Sequence, residues 1–296
     1  MAMVATRPNR RVAGLPPLDR CAVMGVVNVT PDSFSDGGRY FAPEAAIAHG
    51  LELLAAGVDY LDIGGESTRP GALRVGADEE RRRILPVIRA LAGEGAVVSV
   101  DTMRAEVAEA AVAAGASIVN DVSGGLADPA MVPFVAAAGV PYILMHWRGH
   151  SLDMNARAVY DDVVADVTRE LAERLEHAVE GGIRPDRIVL DPGLGFAKTA
   201  TQDWALVSHL DALHALGRPL LIGASRKRFL GRLLAGPDGE PRPAPDRDAA
   251  TIALAAIVAA NGAWAVRVHA GAEAIDAVRV AAAVGDPGYA ARAGDH

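Results

Sequence analysis

The sequence predicts a single-domain α/β protein folded as a (β/α)8 barrel. Short, almost continuously apolar segments alternate eight times with segments that carry apolar residues at helical spacing. Strands that read as continuous apolar runs are typical of a parallel sheet covered on both faces. Eight such strand-and-helix units within roughly 250 residues are typical of a (β/α)8 barrel.

The alternative fold is an open, doubly wound parallel sheet. Such sheets often carry a GxGxxG turn directly after the first strand. No turn of this kind follows the first apolar segment, so the barrel is favoured. We expect the barrel to span residues 21–285, with an N-terminal extension over 1–20 and a C-terminal tail over 286–296.

The predicted strands are apolar runs that end in a polar residue or a glycine-rich loop. They cover residues 24–28, 58–63, 96–100, 117–119, 140–145, 187–190, 218–222 and 263–268. The predicted helices show helical periodicity, and several end at a glycine. They cover residues 42–56, 77–91, 105–114, 129–138, 160–180, 201–216, a segment that ends at 260, and 272–284. A proline-rich loop over 236–246 precedes the helix that ends at 260.

Composition restricts the class of protein. Of the 296 residues, 51% are hydrophobic, which is enough for a large core. The single cysteine, Cys21, leaves no internal disulfide framework and suits a reducing cytoplasm. A net charge of −8 argues against nucleic acid as a partner. No apolar run approaches the length of about 20 residues that spans a bilayer, so we expect no membrane association.

Two polar loops follow the first two strands. The first, over 28–38, contains two aspartates, two glycines, a proline and three hydroxyl residues, with Phe34 as its one aromatic residue. Phe34 either closes over a ligand or folds back onto the barrel wall in a β-turn, and the loop alone leaves both readings open. The second loop, over 64–71, is rich in glycine and polar residues.

Polar side chains stand where almost every predicted strand ends. They are Asn28, Asp62, Asp101, Asn120, His146, Asp191, Lys227, Arg267 and His269. In a barrel the C-terminal ends of the strands converge on one mouth, so we expect these residues to share one cavity. Any one of them could instead cap a helix, above all Asp101 and Asp191, and His269 alone would more often be structural. Nine caps together are implausible.

Lysine is scarce in this chain. Only Lys198 and Lys227 are present, against 27 arginines (29 basic residues minus two lysines). Coding bias with two chance survivors is one explanation. The other is that both positions require a compact ammonium group on a flexible stem, which a planar guanidinium cannot replace.

The order of the polar groups indicates the class of ligand. Carboxylates and amides follow the middle strands, and cations follow the last two. A ligand with a donor-rich heterocycle at one end and anionic groups at the other would match this order. The chain has no Walker lysine motif, HExxH or GxSxG, so nucleotide hydrolysis, zinc proteolysis and serine hydrolysis have no support.

Seven motifs resemble those of the dihydropteroate synthase family of folate biosynthesis, in the family's order from about residue 21 to 284. They are NVTPDSFSDGG from Asn28, GESTRPG from Gly65, VDT from Val100, VND from Val119, LDPGLGF from Leu190, SRK from Ser225 and RVH from Arg267. The resemblance implies condensation of 6-hydroxymethyl-7,8-dihydropterin diphosphate with p-aminobenzoate, which gives 7,8-dihydropteroate and diphosphate. It also implies a (β/α)8 barrel.

The resemblance further assigns residues to roles. It implies that the pterin is bound by Asp101, Asn120, Asp191 and Lys227. It implies that the diphosphate is bound by Arg267 and His269, and by Asn28 through Mg²⁺. Phe34 and Pro70 would sandwich the benzoate ring, Asp36 and Arg69 would pair across the two loops, and Thr68 and Phe196 would also contact substrate. The catalytic residues would be Asp101, Lys227, Asp36 and Arg69.

Two departures and two rival readings accompany the resemblance. Ala270 stands where the family often has an acidic residue, and Trp147 where many relatives have a smaller one; we expect Trp147 or Arg148 to line the pterin entrance. A methyltetrahydrofolate-binding methyltransferase barrel would not need the second loop or a diphosphate site. A non-catalytic pterin-binding paralogue should have lost loop residues.

We also expect a homodimer, packed through the alanine-rich last helices.

Overall fold

A computed structural model of the chain describes residues 11–30, 43–66, 75–149 and 157–294. These residues contain eight strands. The strands are β1 (Ala22–Asn28), β2 (Tyr60–Gly64), β3 (Val98–Asp101), β4 (Ile118–Asp121), β5 (Tyr142–Met145), β6 (Ile188–Asp191), β7 (Leu221–Ile222) and β8 (Ala265–Val268). They alternate with helices along the chain, as the hydrophobic pattern predicts.

Eleven α-helices lie within the described residues. They are α1 (Pro43–Ala55), α2 (Ala77–Gly93), α3 (Ala105–Ala113), α4 (Met131–Ala138), α5 (Val163–Glu180), α6 (Ala200–Ser208), α7 (Leu210–His214), α8 (Arg228–Leu233), α9 (Asp248–Ala260), α10 (Gly271–Gly285) and α11 (Pro287–Gly294). Short 3-10 turns, Pro185–Arg187 and Ala244–Arg247, precede β6 and α9. None of the described helices combines the length and apolarity that a membrane crossing requires.

The strands form one parallel sheet that closes on itself. Their order is β6-β5-β4-β3-β2-β1-β8-β7. A bridge between Leu190 and Leu220 joins the two ends, and the Leu190 N–H donates to the Pro219 carbonyl at 2.9 Å. The predicted (β/α)8 barrel is confirmed. The sheet is narrowest where β6 meets β7, because β7 is only two residues long.

Alternate residues of each strand face the barrel interior, and the character of these positions changes along the axis. At the N-terminal end of the strands they are apolar, and Tyr60 stacks on Trp264 with ring centroids 5.4 Å apart. Val12, Leu15 and Leu18 pack against this cluster from below. Residues 11–20 thus close the lower end of the barrel.

Toward the C-terminal ends of the strands the inward-facing positions become polar. They include Asp62, Ser99, Asp101, Asn120, Asp191 and Arg267, of which Asp62 and Ser99 are completely buried. The other face of each strand packs against the helices and forms a second, larger apolar cluster. The barrel interior is therefore apolar toward the N-terminal ends of the strands and polar toward their C-terminal ends.

Two predicted elements differ in more than the position of their ends. The helix predicted over 201–216 breaks at His209 into α6 and α7, where the backbone has φ −125° and ψ 45°. No glycine or proline marks this break in the sequence. The strand predicted over 218–222 is reduced to β7, and Pro219 within it has no N–H to donate to a neighbouring strand.

Gly271 allows the start of α10 to approach α1 and the segment between α1 and β2 closely. A Cβ at this position would lie 2.7 Å from Leu53 Cδ2 and 2.7 Å from Val58 Cγ2, two branched and buried side chains. We expect Gly271→Ala to lower the free energy of unfolding by about 1–3 kcal/mol, because the added methyl group overpacks this contact. Urea denaturation measures the change.

Gly285 in the same helix is the matched control. A Cβ added there would meet no heavy atom within 4 Å among the described residues, so Gly285→Ala should be neutral or stabilise the protein by about 0.5 kcal/mol. Equal effects of the two substitutions would contradict the packing explanation.

Candidate active site

A cavity of about 820 Å³ opens at the C-terminal ends of the strands. Eight of the residues singled out in the sequence line it: Asn28, Asp101, Asn120, Asp191, Phe196, Lys227, Arg267 and His269. They come from six strands or the loops that follow them. The structure thus brings together every described residue to which the resemblance assigns a role. Asp62 and His146, which were also expected in this cavity, are not among the described residues that line it.

Five further predicted residues are Phe34, Asp36, Thr68, Arg69 and Pro70. All five lie outside the described residues. Their roles at the benzoate ring and across the two loops stay predictions.

Arg267 is the centre of an ion cluster inside the barrel. Its Nε donates to Asp62 Oδ2 at 2.6 Å, and its Nη2 donates to Asp101 Oδ2 at 2.8 Å. Asn120 Nδ2 donates to the same Asp62 oxygen at 3.0 Å, while Asp62 Oδ1 is buried without a hydrogen-bond partner among the described residues. One guanidinium therefore pairs with two carboxylates that project into the barrel from the neighbouring strands β2 and β3.

Burial dominates the protonation of Asp101. Loss of solvent raises the pKa of Asp101 to about 7, although Arg267 opposes the shift; the negative charge of Asp62 adds to it. Burial alone would lower the pKa of Arg267, but Asp62 and Asp101 raise it overall. Near neutral pH, Asp101 can accept a hydrogen bond as a carboxylate or donate one as an acid.

Asp191 is arranged to receive ligand donors. Burial raises its pKa, while the Gly193 N–H, which donates to Oδ1 at 2.7 Å, and the nearby Lys227 lower it. Neither Asp101 nor Asp191 caps a helix, since the N-cap residues of α3 and α6 are Arg104 and Thr199. The capping alternative is therefore wrong for both.

Lys227 lies at the turn between β7 and α8. Its Nζ is 4.1 Å from the ring centroid of Phe196, a cation–π contact. Burial lowers the pKa of Lys227 to about 8, and Asp191 opposes this shift. The ammonium therefore faces the cavity between an aromatic ring and a carboxylate.

Lys198 was not among the predicted site residues, but it has a structural role next to the site. Its buried Nζ contacts the carbonyl oxygens of Gly193 and Phe196 at 3.1 and 3.0 Å. Its third neighbour is Nδ1 of His146, at 3.0 Å. Three acceptors match the three protons of an ammonium group, which explains a lysine in an arginine-rich chain. The scarcity of lysine was the signal for this residue.

A chain of polar groups continues from Lys198 to α5. His146 Nε2 lies 2.9 Å from Glu170 Oε2, so His146 accepts from the ammonium and donates to the carboxylate. Burial, and then the charge of Lys198, lower the pKa of His146 to about 4. This chain ties the loop after β6, which carries Gly193 and Phe196, to a long helix.

The expectation that Trp147 or Arg148 lines the pterin entrance is not met among the described residues. Arg148 instead pairs with Glu170 through Nε and Nη2 and lies over the Tyr160 ring, 3.8 Å from its centroid. Neither Arg148 nor Trp147 is among the described residues that line the cavity. The contacts with Glu170 on α5 and with the Tyr160 ring hold the Arg148 guanidinium away from the cavity.

Arg104 holds the two described ends of the second polar loop. It donates to Glu66 Oε2 at 2.8 Å and to the Val75 carbonyl at 2.7 Å, and it also pairs with Glu80. Thr102 donates to Glu80 at 2.6 Å. This buried network fixes where the loop leaves and rejoins the barrel, and no pattern in the sequence pointed to it.

Asn28 and His269 lie at the ends of the neighbouring strands β1 and β8. His269 Nδ1 lies 2.9 Å from Ser225 Oγ, and the His269 N–H donates to the same oxygen at 3.2 Å. Within the described residues, no three His, Cys, Asp or Glu side chains are grouped as metal ligands. The amide oxygen of Asn28 suits Mg²⁺ only where water and a ligand supply most of the coordination.

The neutral state of His146 predicts an acid-sensitive stability. In the unfolded chain its pKa is about 6.5, whereas the folded value is about 4, so the unfolded state binds more protons between these values. The free energy of unfolding should therefore fall as the pH drops from 6.5 toward 4, by about 2 kcal/mol at pH 4.5 from this residue. Urea denaturation across this range measures the slope. In His146→Gln the slope should be shallower, and an unchanged slope would contradict the assignment.

Comparison with known proteins identifies the family of the chain. Residues 24–269 match the model of the family described as pterin binding enzyme. The dihydropteroate synthase of Mycobacterium leprae is 54% identical over 262 residues, which are 88% of this chain and 92% of the relative.

Solved structures give the same result. The Xanthomonas albilineans dihydropteroate synthase with 4-aminobenzoic acid is 46% identical, with a TM-score of 0.85 over 95% of this chain and 99% of that one. The same enzyme with 7,8-dihydropteroate is 43% identical, with a TM-score of 0.82 over 93% of this chain and 99% of that one. The chain therefore belongs to the pterin-binding enzyme family and, within it, to the dihydropteroate synthases.

Proposed function

We propose that this protein condenses 6-hydroxymethyl-7,8-dihydropterin diphosphate with p-aminobenzoate to form 7,8-dihydropteroate and diphosphate. The observation that carries the proposal is one cavity that brings buried carboxylate and amide groups together with cations. Its relatives are named for this activity, and solved relatives contain 4-aminobenzoic acid and 7,8-dihydropteroate.

The pterin ring matches the groups of the middle strands. A reduced pterin offers an amino group, ring N–H groups and a carbonyl. Asp191 and Asn120 supply acceptors for the ring donors, and Asp101 serves as acceptor or donor because its pKa is about 7. Lys227 donates to the ring acceptors from its place over Phe196. These groups fix the orientation of the ring before chemistry.

The diphosphate matches the cations of the last strands. Arg267 and His269 would donate to its oxygens, and Asn28 on the neighbouring strand β1 would hold the associated magnesium ion. When bound, Mg²⁺ neutralises charge on the diphosphate and so makes it a better leaving group. Asn28 as one oxygen ligand fits an ion that keeps most of its coordination for water and phosphate.

A dissociative order of steps suits these reactants. The bond between the exocyclic methylene carbon and the diphosphate oxygen breaks first, and the positive charge spreads into the electron-rich dihydropterin. The neutral amine of p-aminobenzoate, a weak nucleophile, then forms the carbon–nitrogen bond and loses a proton to solvent. Water would compete for the cation, so the two loops must exclude it. The resemblance assigns Phe34 and Pro70 to the benzoate ring, Thr68 to contact with substrate, and Asp36 and Arg69 to a pair across the loops.

Two finer statements also belong to this proposal. The protein acts in the cytoplasm, which its single, buried cysteine supports. It acts as a homodimer, which the exposed apolar side chains of Ile257 on α9 and of Val280 and Val284 on α10 support. Sedimentation equilibrium distinguishes the dimer from a monomer.

The assay that tests the function follows diphosphate release from pterin diphosphate. We expect release to be fast with p-aminobenzoate present, slow without it, and strongly reduced when EDTA removes magnesium. The pteroate product, measured by mass spectrometry, should equal the diphosphate released. Pterin binding without any condensation would favour the non-catalytic alternative.

Lys227→Arg should be damaging although the charge is kept. A planar guanidinium cannot occupy the space between the Phe196 ring and Asp191 with the same donor geometry, so kcat/KM should fall about tenfold or more. Arg169→Lys on the exposed face of α5 is the matched control, because it exchanges the same two groups where no ligand binds. Full activity of the Lys227 variant would exclude a direct role for this ammonium.

A further inference from the structure

Arg226 has an unusual backbone conformation beside the substrate site. Its φ is +56°, in the left-handed region, and it is one of only two non-glycine residues with positive φ among those that the structure describes. A side chain with a Cβ atom adopts this region at a cost, so the surrounding structure must hold it there.

The segment that starts α9 holds the backbone N–H, the carbonyl and two of the guanidinium nitrogens of Arg226. Its backbone N–H donates to Thr251 Oγ1 at 3.1 Å. Its guanidinium donates through Nε and Nη2 to the two oxygens of Asp248, both at 2.7 Å. Its carbonyl accepts from Arg247 Nη1 at 2.8 Å. The partners are thus the residue before α9 and the first turn of the helix.

Arg247 is itself fixed. Its Nε donates to the Arg242 carbonyl at 2.6 Å, and its guanidinium packs so close to Gly231 that a Cβ there would lie 2.5 Å from Nε. The side chain of Arg247 is buried, with the residue only 8% exposed. The proline-rich loop between α8 and α9 is therefore tied to the same turn, which gives that loop a structural connection to the site.

The residues on both sides of Arg226 belong to the site. Ser225 Oγ contacts His269 Nδ1 at 2.9 Å, and Lys227 lies over Phe196. A change of Arg226 to a right-handed conformation would rotate the chain between these two residues. The direction of Lys227 and the orientation of His269 therefore both depend on the left-handed turn.

Stability alone is a weak explanation for the ion pair. The side chains of Arg226 and Asp248 are about one third exposed, 33% and 34%, and ion pairs that are open to solvent contribute little to unfolding free energy. A bidentate pair that holds a strained residue between Ser225 and Lys227 should instead affect the positions of these two side chains.

We propose that Asp248 is a positioning residue, which holds Arg226 in the left-handed conformation and thereby aims Lys227 and Ser225 into the cavity. The expected effect on the reaction rests on the proposed function. The expected effect on ligand binding does not, because Lys227 lines the cavity whatever reaction takes place there.

The test compares Asp248→Asn, Arg226→Gly and the double variant. Asp248→Asn should lower kcat/KM about five- to thirtyfold, the cost of an unsupported left-handed residue, with little change in thermal midpoint. Glycine adopts the left-handed region freely, so Arg226→Gly should stay within about threefold of the unchanged protein. Asp248→Asn in the glycine background should then have almost no further effect.

The controls separate this inference from its alternatives. Asp186→Asn removes a comparable but exposed ion pair with Arg184 and should leave kcat/KM unchanged. A loss from Asp248→Asn that persists in the glycine background would overturn the proposal, as would full activity of Asp248→Asn. A large rise in KM for Arg226→Gly alone would assign the guanidinium to substrate binding and overturn it as well.

A second readout covers the case in which the proposed function fails. The dissociation constant for 6-hydroxymethylpterin, from fluorescence titration, should rise in Asp248→Asn and recover in the double variant. If the unchanged protein shows no condensation, the proposed function is wrong while this titration still decides the role of Asp248. An unaltered dissociation constant in Asp248→Asn would then count against the positioning role.

Discussion

The site depends on one shared positive charge. Arg267 donates to Asp62 and to Asp101 inside the barrel, and without it two carboxylates would lie in a space with little water. Burial still raises the pKa of Asp101 to about 7, so its charged and neutral forms are close in free energy at neutral pH. A ligand that brings N–H donors to Asp101 favours the charged form, and a ligand with negative charge can pair with Arg267. The site therefore suits a ligand that carries both kinds of group.

Around this cluster the helices hold the loops that carry ligand groups. Lys198 ties the loop after β6 to His146 and so to Glu170 on α5. Arg226 ties the turn after β7 to the first turn of α9. Strands place the ligand groups at one mouth, whereas these polar contacts orient them, and orientation is what a condensation between two bound substrates requires.

Much of the fold and the site could be predicted because both are local patterns repeated along the chain. Apolar runs alternating with helical periodicity indicated the barrel, and the polar residue at each strand end indicated the mouth. The expectation that Trp147 or Arg148 lines the pterin entrance was not met, because Arg148 pairs with Glu170 on a helix whose position in space the local sequence does not give. The break at His209 left no mark in composition, and Asp62 stood in the pattern without a role.

Taken by itself, the sequence determined the class of fold, the end of the barrel at which polar groups meet, and the chemistry of those groups. Only the tertiary structure decided which groups pair. Arg267 and Asp62 are 205 positions apart, and their 2.6 Å contact exists because β8 and β2 both pair with β1. Hydrogen bonds depend on separations of a few tenths of an ångström, whereas residue patterns specify only faces and ends of elements, so pairing is settled when the strands assemble into the sheet.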